Sequence, residues 1–197
     1  MDFQKLFLRS LWTRAMLRKI QFTDGYGRLE QLYRLHDPWD MNTAREQHRF
    51  VETSAFLKGQ TGRVESLLEI GCGEGHQTVT FTEIADRVCG IDVSKRAIAR
   101  AHQRCPTAKF AVGDIRQLNG RGSAGQYDVV AACEVLYYMQ DVPAALVAME
   151  RTGHSILVTY VDTHKSMLDP IILTKPAVVT DFISFEETRW TAAFWRV

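Results

Sequence analysis

The sequence contains few cysteines, and none is placed as a metal ligand or a redox pair. The four are Cys72, Cys89, Cys105 and Cys133. No two of them form a C-x-x-C pair, and their spacing matches no zinc site. Two of the four fall inside apolar runs. We therefore expect free thiols in a reduced cytoplasm and no bound metal ion.

A charge imbalance and long apolar runs are also missing. The chain has 24 Lys and Arg against 23 Asp and Glu, a net charge of +1, so nucleic acid is not an expected partner. No apolar run approaches the ~20 residues that span a bilayer. The apolar N-terminus is interrupted by basic residues, which distinguishes it from a secretion signal. The length of 197 residues and the 46% hydrophobic content fit one domain with its own core. We expect it in the cytoplasm, because the sequence shows neither a membrane span nor a secretion signal.

The N-terminal part of the chain has a helical pattern. Residues 3–20 predict a basic amphipathic helix, which either packs on its own domain or contacts a membrane surface or a protein partner. A short helix is expected to end before Pro38, because the residue preceding proline is pushed out of the α region. A further helix is predicted over residues 43–57. We expect residues 1–60 to form a helical lid segment and residues 61–197 to form an α/β core in a single domain.

Strand and helix patterns alternate in the core. The predicted strands are 66–70, 87–91, 109–112, 127–133 and 155–161, and the predicted helices are 76–85, 94–103 and 142–152. This order favours a mostly parallel sheet with helices on both faces. Residues 178–185 and 190–197 are rich in aromatic and β-branched side chains and predict an antiparallel hairpin.

A glycine-rich loop follows the first predicted strand, in the segment Glu69-Ile70-Gly71-Cys72-Gly73-Glu74-Gly75. Glycines let the backbone approach a ligand without a Cβ in the way, and the next helix points its amide dipoles at that ligand. A dinucleotide fingerprint would need glycine where this chain has His76, and the G-K-[ST] of a phosphate loop is absent. The ligand is therefore not expected to bind this loop through a pyrophosphate.

Two carboxylates end the next two predicted strands. Asp92 follows the first loop glycine by 21 residues (92 − 71), where a carboxylate can accept hydrogen bonds from both ribose hydroxyls of a nucleoside. Asp92 could instead cap the following helix, but Ser94 is the better N-cap. Asp114 could accept from the adenine amine, with Ile115 over the ring, or be an ordinary loop aspartate. Together these side chains and the loop predict a nucleoside site.

These segments resemble the class I S-adenosyl-L-methionine (SAM) dependent methyltransferases, and within them the nodulation protein S (NodS) type. The segments that carry the resemblance are Asp37-Pro38-Trp39 before a helix with Glu46 and Arg49, Leu68-Glu69-Ile70-Gly71-Cys72, Ile91-Asp92-Val93 with Arg96-Ala97-Ile98, and Glu134-Val135-Leu136-Tyr137-Tyr138. The resemblance covers roughly residues 33–150. The D-P-W and E-V-L-Y-Y segments are more restrictive than the glycine loop, which the whole superfamily shares.

The resemblance implies a Rossmann-like sheet of seven strands whose last two form the hairpin. It implies that the glycine loop holds the amino-acid part of SAM, Asp92 the ribose and Asp114 the adenine. The expected cofactor-binding residues are Glu69, Gly71, Cys72, Gly73, Gly75, Asp92, Val93, Asp114, Ile115, Glu134 and Val135. The lid segment is expected to bring Trp39 and Arg49 near the cofactor or the acceptor.

The acceptor implied by the resemblance is a small molecule, foremost an amine of an amino sugar. Tyr137 and Tyr138 are candidates for positioning it, since the edge after the fourth strand faces the reacting end of the cofactor. An amine must lose a proton, and the candidate groups for accepting it are Glu134, Tyr138 and His48.

Three other functions compete with amine methylation. An O-methyltransferase would use the same cofactor site, and a catalytically silent protein would bind SAM as part of a larger assembly. An NAD-dependent oxidoreductase is disfavoured by His76 and by the lack of a Tyr-x-x-x-Lys motif. The sequence does not indicate an oligomeric state.

Overall fold

The computed structural model describes residues 23–117 and 126–197, and the helix predicted over residues 3–20 lies outside them. The strands are β1 (Val64–Ile70), β2 (Ala85–Asp92), β3 (Lys109–Val112), β4 (Tyr127–Cys133), β5 (Gly153–Val161), β6 (Val179–Phe185) and β7 (Thr188–Arg196). The described α-helices are α1 (Tyr26–Leu32), α2 (Ala44–Thr61), α3 (His76–Phe81), α4 (Lys95–Arg104), α5 (Val142–Thr152) and α6 (Lys165–Ile172).

The seven strands form one mixed sheet in the order β3-β2-β1-β4-β5-β7-β6. The first five strands along the chain pair in parallel, whereas β7 is antiparallel to both β5 and β6. The predicted parallel sheet and C-terminal hairpin are therefore confirmed. From β1 the chain adds β2 and β3 on one side, and it then returns to add β4 on the other side of β1. The carboxyl ends of β1 and β4 accordingly form the switch point where open α/β sheets bind ligands.

Both faces of the central strands are buried. In β1, Leu68 packs in one apolar cluster and Leu67 in the other, and Val130 and Val129 of β4 divide in the same way. Side chains alternate between the two faces of a strand, so helices must cover both. A rigid central sheet therefore supports the carboxyl-end edge.

The two helices that follow β1 and β2 begin where the sequence predicts. Ser94 caps α4, since its hydroxyl accepts a hydrogen bond from the amide of Ala97 at 3.1 Å. The helix predicted over 76–85 ends earlier, at Phe81. Ala85 already belongs to β2, where it pairs with Val64, and sheet pairing thus overrides the helical pattern.

The short helix α6 was not predicted. It follows β5 and buries Leu168 and Ile172, which are four residues apart on one face, in the cluster that contains Leu68. Pro170 lies inside this helix, and proline is normally read as a helix breaker. None of the helices described in residues 23–117 and 126–197 is long and apolar enough to cross a membrane.

We predict that Ser94→Ala lowers the free energy of unfolding by about 1 kcal/mol, because it removes the side-chain cap of α4. Thr43→Ala is the matched control, since Thr43 precedes α2 without a side-chain capping hydrogen bond. It should change stability by less than about 0.5 kcal/mol. Urea unfolding of both variants measures the difference, and equal losses would contradict the assigned cap.

Candidate active site

The glycine loop lies between β1 and α3 in a backbone shape that requires glycine. Gly71, Gly73 and Gly75 have φ values of 66°, 53° and 80°. A Cβ on Gly71 would lie 2.2 Å from Val135, and one on Gly73 would lie 2.9 Å from the hydroxyl of Tyr33. The loop therefore forms a tight cradle. Its walls are Val135, which follows the end of β4, and Tyr33 of the lid segment.

Asp92 ends β2 and holds the glycine loop in place. One carboxylate oxygen accepts from the amide of Gly73 at 3.0 Å, and the other accepts from the amide of Ser94 at 2.8 Å. The side chain is buried, and burial raises the pKa of Asp92 to about 6 although the two amide hydrogen bonds act to lower it. Each oxygen keeps lone-pair capacity for a ligand hydroxyl.

Asp114 lies at the end of β3, with the fully buried Ile115 beside it. It accepts hydrogen bonds from the hydroxyl of Tyr26 and from the backbone amide and guanidinium of Arg116. Burial acts to raise the pKa of Asp114, but these hydrogen bonds outweigh it and the pKa is lowered. Arg116 also binds Asp24 at 2.9 Å. Through Arg116, the Asp114 carboxylate therefore fastens Asp24 to the sheet.

A buried guanidinium and a buried carboxyl lie on the other side of the glycine loop. Arg49 of α2 is 2% exposed, and its Nε donates to Glu46 at 2.8 Å. Its Nη1 is buried and has no hydrogen-bond partner among residues 23–117 and 126–197. Glu69 of β1 accepts from the hydroxyl of Thr78, and burial raises the pKa of Glu69 to about 8, which leaves it uncharged at neutral pH.

Glu134 directly follows β4, and its φ of 56° is unusual for a residue with a side chain. Its carboxylate accepts from the hydroxyls of Tyr137 and Thr159, each at 3.2 Å, and from the amide of Val161 at 3.1 Å. Burial raises the pKa of Glu134, while the nearby charge of Arg49 acts to lower it. The half-buried side chain thus lines the cleft.

The two adjacent tyrosines both face the cleft, because residues Leu136–Tyr138 form a turn of 3-10 helix instead of extended strand. Tyr138 contacts Trp39 of the lid segment, with the ring centroids 5.6 Å apart. Tyr137 contacts Tyr138 at 4.7 Å and stacks on His164 at 4.0 Å. Burial raises the pKa of both phenols, so both remain neutral at physiological pH.

One cleft brings nearly all of the predicted site residues together. It encloses about 1050 Å³, including the part open to solvent. The predicted residues that line it are Trp39, Arg49, Glu69, Gly71, Cys72, Gly73, Asp92, Val93, Asp114, Ile115, Glu134, Val135, Tyr137 and Tyr138. Gly75 lies behind this wall, where a Cβ would meet Ala101 at 3.2 Å. His48 packs against Phe185 of the hairpin, with ring centroids 5.4 Å apart, and is not part of the cleft wall.

Several residues of the cleft and its lid were missed by the sequence analysis, among them Tyr26, Tyr33, Met41 and His76. A signal for the lid does exist on α4, where three arginines follow one another at four-residue spacing. Arg96 pairs with Glu30, and Arg100 and Arg104 both bind Glu74. Such a row normally indicates a solvated face, whereas here it holds the lid segment and the glycine loop.

Among residues 23–117 and 126–197, no group of three or more His, Cys, Asp or Glu side chains could hold a metal ion. The cleft walls carry several carboxyl groups, among them those of Asp92, Asp114, Glu69 and Glu134, together with the guanidinium of Arg49 and a set of aromatic rings.

Comparison with known proteins identifies the family. The profile of nodulation protein S (NodS) matches residues 25–159. The nodulation protein S of Sinorhizobium fredii is 30% identical over 152 residues, which cover 72% of this chain and 68% of that protein. The chain spans about half the length of two further nodulation proteins S, 54% and 50%. A ubiquinone biosynthesis O-methyltransferase of Rhodopseudomonas palustris is 27% identical over 77% of this chain and 62% of its own length.

A solved structure supports the same assignment. The N-methyltransferase NodS from Bradyrhizobium japonicum WM9, in complex with S-adenosyl-L-homocysteine (SAH), superposes with a TM-score of 0.67 at 25% identity. The superposition covers 87% of this chain and 97% of the relative. The fold of this relative therefore agrees with the sheet and the hairpin described above and with the predicted family. The chain belongs to the nodulation protein S family of S-adenosyl-L-methionine-dependent methyltransferases.

Proposed function

We propose that this protein transfers the methyl group of SAM to an amine of a small acceptor, such as an amino sugar. The observation that carries the proposal is the half-buried carboxylate of Glu134, which lies with the rings of Tyr137 and Tyr138 on one wall of the cleft. A carboxylate among aromatic rings suits an acceptor that arrives as an ammonium ion, because both attract a cation. The relative from Bradyrhizobium japonicum, an N-methyltransferase, supports an amine acceptor.

The residues of the cleft fit the cofactor. The cradle at Gly71 and Gly73 leaves no room for a Cβ and brings backbone amides to the ligand. Asp92 would accept hydrogen bonds from the ribose hydroxyls. The unpartnered Nη1 of Arg49 would bind the carboxylate of the amino-acid part, since a buried guanidinium nitrogen needs an acceptor.

Methyl transfer requires alignment more than activation. SAM supplies a methyl group on a sulfonium ion, whose leaving group is a neutral thioether. The protein must therefore orient the acceptor in line with that methyl group and exclude water. Trp39, Tyr137 and Tyr138 form an aromatic wall beside the glycine loop that would bind the apolar and cationic parts of an amino sugar.

Glu134 is the group that would accept the proton of the ammonium acceptor. Tyr137 and Tyr138 cannot be general bases at neutral pH, because burial holds their pKa values above the usual one and the phenols stay protonated. Burial also raises the pKa of Glu134, which makes its carboxylate a stronger base than an exposed one. The hydroxyl of Tyr137 donates to this carboxylate and orients it.

The acceptor class is tested with isotopically labelled SAM and two matched oligosaccharides, a glucosamine oligomer with free amines and its fully N-acetylated counterpart. We expect label in the free-amine oligomer alone. Label in the acetylated oligomer would instead support methylation of a hydroxyl. Cofactor binding measured by calorimetry, without label in any acceptor of a wider amine and hydroxyl panel, would contradict the proposed activity.

We predict that Glu134→Gln lowers kcat by roughly 10²–10⁴-fold, the usual contribution of a general base. Glutamine keeps the size, and its amide oxygen can still accept from the amide of Val161 while its NH2 group donates to the hydroxyl of Thr159, so the fold should survive. SAH binding by calorimetry should change by less than about threefold. A variant with an unchanged kcat would exclude Glu134 as the base.

We predict that SAH binds more weakly as the pH falls through about 6, the pKa to which burial raises Asp92. Protonation of Asp92 would remove one of the two oxygens that accept from the ribose hydroxyls, so it opposes SAH binding. Below that pKa the Kd should rise by up to about tenfold per pH unit. Calorimetry from pH 5 to 8 measures this slope. Asp92→Asn is the control and should bind weakly with little pH dependence; an equally flat profile for the unsubstituted protein would contradict the assignment.

A further inference from the structure

Tyr33 stands between the glycine loop and the acceptor wall. It directly follows α1, is 5% exposed and lines the cleft. Its hydroxyl oxygen lies 2.9 Å from the position that a Cβ on Gly73 would occupy. The phenol is therefore in contact with the part of the loop that the cofactor must touch.

Among residues 23–117 and 126–197, the hydroxyl of Tyr33 takes part in one hydrogen bond, as an acceptor. Its oxygen accepts a hydrogen bond from the indole Nε1 of Trp39 at 3.1 Å. Within the part of the chain that the structure describes, no residue accepts the proton of this hydroxyl. A buried hydroxyl normally uses its donor, so the acceptor is expected to come from the ligand of the cleft.

Trp39 carries this contact to the acceptor side. Its ring packs edge-on against Tyr33, with centroids 6.5 Å apart, and lies 5.6 Å from the ring of Tyr138. The indole thus has one hydrogen bond toward the cofactor loop and one aromatic contact on the acceptor wall. A change in the orientation of Tyr33 would break its hydrogen bond with Trp39.

The backbone between Tyr33 and Trp39 is fixed to the glycine loop and to α4. The carbonyl of Tyr33 accepts from Arg100 at 2.8 Å, and the amide of Asp37 donates to Glu74 at 3.1 Å. Arg100 and Glu74 in turn form an ion pair at 2.5 Å. These contacts hold the backbone that carries Tyr33 and Trp39 close to the glycine loop.

We propose that Tyr33 is a positioning residue that couples cofactor binding to acceptor binding. Its hydroxyl donates to an oxygen of the bound cofactor and, in the same orientation, accepts from Trp39. The filled cofactor site thereby holds the indole against Tyr138, in the place where it contacts the acceptor. The acceptor half of this inference rests on the proposed function, whereas the link between cofactor and Trp39 does not.

Tyr33→Phe tests the coupling without the acceptor. SAH is titrated while tryptophan fluorescence is recorded, and the response of Trp39 is isolated by subtracting the same titration of Trp39→Phe. We expect a Trp39 response in the unsubstituted protein and its loss in Tyr33→Phe, with the SAH affinity from calorimetry reduced by less than about tenfold. Tyr160→Phe removes a buried hydroxyl that binds Asp169 away from the cleft and should keep the response. An undiminished response in Tyr33→Phe overturns the proposal.

Steady-state kinetics test the second half. Tyr33→Phe and Trp39→Phe should each raise the KM of the amine acceptor by about five- to tenfold with little change in kcat, and the double variant should be no worse than either single one. Effects that multiply in the double variant, or a loss confined to kcat, overturn the coupling. Failure of the unsubstituted protein to bind SAH would overturn the proposed function itself, which separates the two failures.

Discussion

The pair of hydrogen bonds made by the Asp92 carboxylate is the constraint on which the rest of the site depends. One bond fixes the glycine loop and the other fixes the start of α4, so one side chain sets the distance between these two elements. Both donors are backbone amides, and the arrangement therefore persists whatever side chains surround it. In the proposed cofactor site the same carboxylate would also accept from the ribose, and the side-chain capping of α4 is made by Ser94 instead.

The position of the lid segment follows from that of α4. Arg96 and Arg100 project from one face of this helix and bind, respectively, Glu30 and the carbonyls of Tyr33 and Leu35. On the opposite edge, Arg116 joins Asp24 to Asp114. Residues 23–60 are therefore held against the core by arginines of α4 and of the turn after β3.

The sequence predicts most of the fold, because hydrophobic period and glycine placement act locally. The five central strands, the hairpin and α5 were found at or within a few residues of their observed limits. Sheet pairing shortened α3, since Ala85 pairs with Val64, a contact between distant residues that no local pattern contains. The helix α6 was missed because Pro170 hides the spacing of Leu168 and Ile172. Local sequence signals therefore predict which helices and strands exist better than they predict where each one ends.

Some residues of the site could likewise be predicted from local sequence signals, whereas others depend on contacts between distant parts of the chain. The glycine loop, Asp92 and Glu134 are predictable, since each ends a strand whose carboxyl edge must face the ligand. Tyr33 and the role of Arg100 are not, because they act across 40 and 26 residues of chain, from Tyr33 to Gly73 and from Arg100 to Glu74. His48 shares a helix with Arg49, yet their side chains point to different surroundings, since successive helix positions face different directions.

At Glu134 the demands of stability and those of the proposed chemistry differ. A φ of 56° costs a residue with a Cβ roughly 1–3 kcal/mol, and glycine would adopt it without strain. The backbone nevertheless holds this shape, since its amide donates to the carbonyl of Thr159 and its carboxylate binds the amide of Val161. These contacts tie the end of β4 to the end of β5 and turn the carboxylate into the cleft. A strained backbone that its neighbours hold in place, and that turns a half-buried carboxylate into the cleft, is what the proposed proton transfer would require.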